Sequence, residues 1–142
     1  MKTRLGCALL FALGLTSIPP QLFAADNLKV ALVRQDFSDC ANSDVTTSDP
    51  SRVAGFINVH SEEDGSLIVI AHLKSGTPAT TYHIFLKCIG FLGDLYTNPQ
   101  GVGNAVFTVP PGTVGPVFAF DMYPDGAPLG NKFQSVQVNL AQ

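Results

Sequence analysis

The sequence lacks tryptophan altogether and is poor in charge, since only 13% of its 142 residues are Asp, Glu, Lys or Arg. Its 8 basic and 11 acidic residues give a formal net charge of −3. Nucleic-acid-binding proteins carry clustered basic residues, so this composition excludes a nucleic-acid partner. It also argues against attraction to anionic membrane surfaces. With 3 tyrosines and no tryptophan, stacking against carbohydrate rings has little support.

The sequence has one long hydrophobic run, residues 5–15, which follows Lys2 and Arg4. A basic start, a short apolar stretch and a small-residue exit are the three parts of a secretory signal peptide. We expect residues 1–25 to be cleaved, which leaves one domain, 26–142, and changes the net charge from −3 to about −5 because two basic residues are lost. A run of roughly 11 residues is too short for a spanning helix, which takes about 20. The mature chain is predicted to be secreted or periplasmic, with no membrane span.

Cysteine is also scarce, and no two cysteines form a C-x-x-C pair. Cys7 lies within the signal peptide, so Cys40 and Cys88 remain in the mature chain. An even pair in an oxidising compartment predicts a disulfide, whereas a redox-active or metal-binding pair would favour closer spacing. The bond would close a loop of about 48 residues and remove about 4 kcal/mol of unfolded-state entropy.

Helical periodicity is missing after the signal peptide, and short alternating runs separated by turn residues take its place. The predicted strands are 28–35, 52–60, 66–74, 81–88, 93–97, 103–109, 117–123 and 133–140. Asp64-Gly65 between two of them is typical of a type I′ hairpin. We expect an all-β domain, a single antiparallel β-sandwich of about seven or eight strands. The polar segment 35–51, which contains Cys40, is expected to cross between its two sheets.

Tyr82 begins one of these strands directly after the turn-forming residues Gly76, Thr77 and Pro78. Its ring shares a strand face with the apolar residues that follow, so it can enter the core while its hydroxyl bonds back to the turn. This stretch, 73–88, resembles the tyrosine corner of immunoglobulin-like and fibronectin type III β-sandwiches. The resemblance implies an immunoglobulin-like fold with Tyr82 as a structural corner. Antibody domains place the cysteine two residues after the tyrosine, whereas Cys88 lies six residues after Tyr82.

Three histidines, His60, His72 and His83, lie on three predicted strands. Imidazoles that converge from neighbouring strands could bind copper or zinc. No H-x-H or H-x-x-x-H spacing presents two of them together, so ordinary surface histidines are the preferred interpretation. We predict no metal site and no cofactor.

The acids Asp36, Asp39, Asp44 and Asp49 lie close together in the polar segment 35–51 and could bind calcium. Their spacing does not fit an EF-hand loop, because the central glycine and the terminal glutamate are missing. Asp and Ser in such segments more often bond to their own backbone in turns, which is the preferred interpretation here.

Catalytic motifs are lacking too. There is no G-x-S-x-G nucleophile elbow, and Glu62 and Glu63 are adjacent in a tight hairpin, a poor geometry for a pair of glycosidase carboxylates. We therefore expect a non-catalytic binding or structural module, not an enzyme, with an unknown protein or surface partner and an undetermined oligomeric state. The alternatives are a periplasmic metal-binding protein that uses His60, His72 and His83, and a small secreted hydrolase.

Overall fold

The computed structural model describes residues 27–141, so the predicted signal peptide lies outside the described residues. Within this range the chain forms ten strands, no α-helix and one 3₁₀ turn at Pro50–Arg52, and the all-β prediction is confirmed. The strands are β1 Asn27–Arg34, β2 Val53–Ser61, β3 Leu67–Leu73, β4 Thr81–Leu86, β5 Gly90–Tyr96, β6 Gly103–Val109, β7 Val117–Phe118, β8 Phe120–Tyr123, β9 Phe133–Ser135 and β10 Val138–Asn139.

Eight of the strands form a single antiparallel sheet in the order β5-β4-β8-β9-β1-β2-β3-β6, and β7 pairs with β10 in a small second sheet. The large sheet is nearly barrel-shaped. The predicted sandwich is therefore not confirmed, because the strands expected in two facing layers belong to one curled sheet.

The two edge strands of the large sheet, β5 and β6, approach each other where the barrel nearly closes. Glycines permit this approach: a Cβ at Gly103 would lie 2.6 Å from the carbonyl oxygen of Tyr96, and one at Gly93 would lie 2.3 Å from the ring of Phe107. Both distances are shorter than van der Waals contact, so a side chain at either position would push the two strands apart.

Strand alternation decides which side chains enter the interior. Every second residue of β3, from Leu67 to Leu73, is buried, and the residues between them are partly exposed. The largest fully buried side chains of the core are Tyr82, Phe120 and Phe133. Such alternation is the expected pattern for an antiparallel sheet with one face on the core and the other on solvent.

Two predicted strands are interrupted. The predicted strand 117–123 is divided at Ala119, whose carbonyl accepts from the Lys87 amide, and 133–140 is divided after Ser135. The reason is that the chain passes between the two sheets at these points: from the small sheet to the large one at Ala119, and back to the small one after Ser135. The predicted strand 81–88 also ends early, at Leu86, because Cys88 has a positive φ of 59° and lies in the turn to β5.

The hairpin between β2 and β3 is not of type I′. Both central residues of that turn need positive φ, but of the pair only Gly65, at 84°, has it. The Gly65 amide donates to the Glu62 carbonyl and the Glu62 amide donates to the Ser66 carbonyl. Asp64 accepts from the Ser66 amide, which favours a longer loop closed by a single left-handed glycine.

The disulfide between Cys40 and Cys88 is confirmed, with a Cα–Cα distance of 5.5 Å. It anchors the polar segment 35–51, which joins β1 to the adjacent β2 of one sheet, so the predicted crossing between two sheets is wrong. Asn42 in this segment is buried and its Nδ2 donates to the carbonyls of Phe120 and Ser135. The segment therefore packs on the sheet across several strands.

Candidate functional site

An aromatic and acidic surface covers the outward side of β4, β5 and β8. We call it the acidic aromatic face, and it consists of His83, Phe85, Phe91, Asp94, Tyr123 and Asp125. His83 and Phe85 alternate with the buried core residues Ile84 and Leu86 along β4. Alternation therefore places both side chains on the outward side.

The aromatic half of this face is a contiguous set of rings. Phe85 stacks on Tyr123 with centroids 4.9 Å apart and planes inclined by 18°, and Phe91 meets Phe85 edge-on at 5.6 Å. Phe91 is 60% exposed, which is unusual for a phenyl ring. A ring held by aromatic neighbours and open to solvent is suited to receive a ligand.

A β-bulge brings Phe91 to this position. Ile84 pairs with Gly93, yet the next residue of β4, Phe85, pairs with Phe91, so Leu92 is the extra residue. Without the bulge, Phe85 would face Leu92 and Phe91 would turn to the other side of the sheet. The bulge thus creates the aromatic pair at this edge.

The acidic half of the face is centred on His83, which lies between two carboxylates. Its Nδ1 is 2.7 Å from Oδ1 of Asp94 on β5, and its Nε2 is 2.8 Å from Oδ1 of Asp125 in the loop 124–132. A neutral imidazole carries one N–H, so it can donate to only one of these acceptors. The hydrogen bond to Asp94, followed by that to Asp125, raises the pKa of His83, and desolvation opposes them only in part.

This arrangement is unsuited to general-base catalysis by His83. A catalytic imidazole uses one nitrogen for an orienting carboxylate and keeps the other free for the nucleophile. Here both nitrogens face carboxylates. The carboxylates themselves are open, since the side chain of Asp94 is 53% exposed and that of Asp125 is fully exposed. Within residues 27–141 their hydrogen bonds use Oδ1, which leaves Oδ2 of each for a ligand.

A polar cluster supports the neighbouring end of β4. Lys87 Nζ donates to Oδ1 of Asn42 at 2.8 Å and to Oε1 of Gln134 at 2.7 Å. Burial lowers the pKa of Lys87 and raises the pKa of Asp121 on the adjacent strand β8. The amine is thus used to hold the segment 35–51 against the sheet, next to the disulfide.

The structure does not bring together the three histidines that were considered as metal ligands. His60 pairs with Ile68 across β2 and β3. His72 lies four residues beyond Ile68 on β3, about 13 Å along the strand, and His83 is on β4. His72 is close to Phe56, with ring centroids 4.5 Å apart, and its Nδ1 is 2.5 Å from Oδ1 of Asn104. In the described part of the chain no three His, Cys, Asp or Glu side chains form a group that could hold a metal ion.

The four aspartates considered for calcium are each engaged by nearby donors. Asp39 accepts from the amides of Ala41 and Ser43, and hydrogen bonds from Ser43 lower its pKa. Asp49 caps the 3₁₀ turn. Asp36 accepts from the Gly130 amide, and Asp44 from the side chains of Gln35 and Ser38. The contacts of Asp39 and Asp49 are the local turn contacts expected of such residues, whereas Asp36 binds an amide 94 residues away and Asp44 binds side chains.

Tyr82 lies at the start of β4 and is fully buried. Its hydroxyl accepts from the Thr77 amide at 2.8 Å and donates to Oδ1 of Asn131 at 2.5 Å. The hydroxyl thus reaches the preceding turn, through an amide and not through a carbonyl. It also holds the loop 124–132, which carries Asp125 of the acidic aromatic face.

The sequence indicates His83 only as an ordinary surface histidine or a candidate metal ligand, and it does not reveal the partners of this residue. The shared strand face of His83 and Phe85 was visible in the alternation of β4. The pairing with Phe91, Asp94 and Asp125 was not visible, because it depends on a bulge and on contacts 11 and 42 residues away.

Comparisons of the chain with protein-family models, with curated proteins and with solved structures find no match. In residues 27–141 there is also no helix of the length and apolar character needed to cross a bilayer.

Proposed function

We propose that this protein is an exported, non-catalytic binding module whose acidic aromatic face binds lysine or arginine side chains of a partner protein. The observation that carries the proposal is the open carboxylate pair around His83, next to the exposed ring of Phe91. Both halves of the face attract a cation. Carboxylates pair with a cation, and an aromatic ring attracts a cation to its surface.

Arginine is the better match of the two cations. Its planar guanidinium can stack on Phe91 while its N–H groups reach the carboxylates of Asp94 and Asp125. A cation–π contact at an exposed site contributes about 0.5–1 kcal/mol and an exposed ion pair less than about 1 kcal/mol. Several such contacts are needed for useful affinity, which favours a polypeptide with more than one basic residue over a small cation.

The protonation of His83 regulates the charge of the face. The three groups His83, Asp94 and Asp125 carry a formal charge of about −1 when the imidazole is protonated and about −2 when it is neutral. A cationic partner therefore competes with the imidazolium for the two carboxylates. Binding should strengthen as the pH rises through the raised pKa of His83.

Export is supported by the N-terminal pattern of the sequence and is consistent with the disulfide, because such bonds persist in oxidising compartments. Intact-mass measurement of protein from the native host tests it. The expected mature chain begins at Ala25 or Asp26. A mass that includes the first 24 residues would refute cleavage.

Titration of the isotope-labelled protein with an arginine-rich peptide, followed by NMR, tests the binding proposal. Amide shifts are expected at Phe85, Phe91 and Asp94, with affinity that falls with salt. Phe91→Ala should weaken binding by about two- to fivefold, and the double variant Asp94→Asn with Asp125→Asn by about fivefold.

Phe37→Ala is the matched control, since Phe37 is an equally exposed phenyl ring at 71% and lies outside the face. Its affinity should equal that of the wild type. Shifts spread over the whole surface, or an equal loss in Phe37→Ala, would refute the acidic aromatic face as the binding site.

A further inference from the structure

A second surface, which carries basic instead of acidic side chains, surrounds Phe56 on the outward side of β1, β2 and β3. The Nζ atoms of Lys29 and Lys74 lie 3.9 Å and 5.1 Å from the centre of the Phe56 ring. The His72 ring adds a third basic group, with its centroid 4.5 Å from that of Phe56. Three basic side chains therefore converge on one aromatic ring.

This basic cluster opens onto a groove of about 670 Å³. The floor is provided by Ala31, Gly55 and Phe56, and the wall by residues at the 3₁₀ turn, including Pro50 and Val53. A side chain at Gly55 would collide with the backbone of His72, so a glycine at this position allows β2 and β3 to lie close together. The volume lies within the range of about 300–1,000 Å³ that small-molecule sites occupy.

The wall of the groove is firmly attached. Arg52 at the end of the 3₁₀ turn donates from Nε to the Arg34 carbonyl at 3.0 Å and from Nη2 to Oε1 of Gln35 at 3.2 Å. Asp49 caps the beginning of the same turn. The wall of the groove is therefore held in place by contacts within the fold.

In the described part of the chain neither lysine of the groove forms an ion pair with a carboxylate. Within residues 27–141 the ion pairs are those of His83, and the residues that line the groove include no acid. The ammonium groups of Lys29 and Lys74 both lie within about 5 Å of one ring centre, so positive charge is concentrated at this end of the groove. An anion bound near them would offset that charge.

We infer that this groove, which we call the basic groove, binds an organic anion: an aromatic carboxylate, sulfonate or phosphate. The aromatic body of the ligand lies along the groove against Ala31, Pro50 and Val53, and its anionic group lies near the ammonium groups of Lys29 and Lys74. His72 borders the Phe56 ring. This site is separate from the acidic aromatic face, so the inference does not depend on the proposed function.

Two probes that differ only in charge test the inference on the folded chain. Anilinonaphthalene sulfonate carries the anion, and phenylnaphthylamine has the same ring system without it. Fluorescence titration should show that the sulfonate binds at least about fivefold more tightly and loses that advantage at high salt. NMR shifts should fall on Lys29, Ala31 and Phe56, and not on Phe91 or Tyr123.

Lys29→Met and Lys74→Met should each weaken sulfonate binding by about two- to fivefold, and the double variant by about tenfold. Lys132→Met is a matched control, since the Nζ of Lys132 also lies over an aromatic ring, 4.7 Å from the centre of Phe37. It should bind as the wild type does.

Three results would overturn the inference: equal affinity for both probes, an equal loss in Lys132→Met, or shifts centred on the acidic aromatic face. Concentration-dependent self-association that the probe displaces and Lys74→Met abolishes would also overturn it. The occupant of the groove would then be a second copy of the chain.

Discussion

Tyr82 shows how one side chain connects the core to the candidate site. Its ring packs against Phe133 with centroids 5.6 Å apart, and its hydroxyl holds both the Thr77 amide and Asn131. Asn131 lies in the loop 124–132 that also contributes Asp125 to His83. Loss of the hydroxyl therefore leaves two polar groups without a partner and loosens the loop beside the acidic aromatic face.

Tyr82→Phe is expected to lower the free energy of unfolding by about 1–2 kcal/mol, because the ring packing is kept and the hydrogen bonds are lost. Tyr82→Ala should lower it by about 3–5 kcal/mol, as for other large aromatic truncations. Urea unfolding measures both. Tyr96→Phe is the control, since Tyr96 is 62% exposed, and it should change nothing. A wild-type stability for Tyr82→Ala would refute the structural corner.

His83 makes the stability of the fold depend on pH. Its folded-state pKa is raised above the model-peptide value of 6.5 by the bonds to Asp94 and Asp125. Its contribution is therefore complete below pH 6.5 and is lost as the pH rises through the folded-state pKa. NMR titration of the imidazole should give a midpoint above 6.5, and His83→Gln should remove the loss of stability over that window. A midpoint at or below 6.5 would show that the two carboxylates do not hold the proton.

At the scale of the element, the edges of the sheet depend on residues without side chains. β5 and β6 approach closely at Gly93 and Gly103, where Cβ atoms would collide with Phe107, Leu95 and the Tyr96 backbone. These are the positions at which the curled sheet nearly closes on itself.

Gly103→Ala is expected to destabilise the protein by about 1–3 kcal/mol, because the new Cβ meets backbone atoms that cannot turn away. Gly90→Ala is the matched control, since a Cβ there meets nothing within 4 Å. It should be neutral or slightly stabilising, as alanine restricts the unfolded chain. Thermal and urea unfolding compare the two variants. Equal stability of both would contradict a close approach of β5 and β6.

At the scale of the whole molecule, the disulfide and the Lys87 cluster hold the long segment 35–51 on the sheet. Cys40 and Cys88 are separated by 48 residues in sequence, and Asn42 and Lys87 make a second contact between the same two regions. The covalent bond acts mainly by restricting the unfolded chain, whereas the polar contacts act in the folded one.

Reduction of the disulfide is expected to cost about 4 kcal/mol or somewhat less and to leave the β-type circular dichroism spectrum intact, because the strands and not the bond define the sheet. Urea unfolding with and without reductant measures the loss, and the double variant Cys40→Ala with Cys88→Ala should reproduce it without reductant. Titration of the denatured, unreduced protein should find no free thiol at Cys40 or Cys88. Two free thiols would refute the bond.

The sequence by itself determined the all-β class, the approximate position of each strand and the partner of Cys40. These features can be read locally or by counting: side chains alternate along a strand with a period of two, and Cys88 is the one other cysteine after the N-terminal hydrophobic run 5–15. The two-layer sandwich implied by the resemblance to immunoglobulin-like domains is not confirmed, because the large sheet is nearly barrel-shaped. One stretch around Tyr82 carries no information on how distant strands pair.

Only the tertiary structure decided that the eight strands curl into one sheet and that its outer surfaces carry separate clusters. The bulge opposite Phe85, the approach of Asp125 to His83 and the convergence of Lys29 and Lys74 on Phe56 all depend on register between strands. Register is set by the summed packing of residues far apart in the chain, and a shift of one position would turn each side chain to the other face. The acidic aromatic face and the basic groove are consequences of that register.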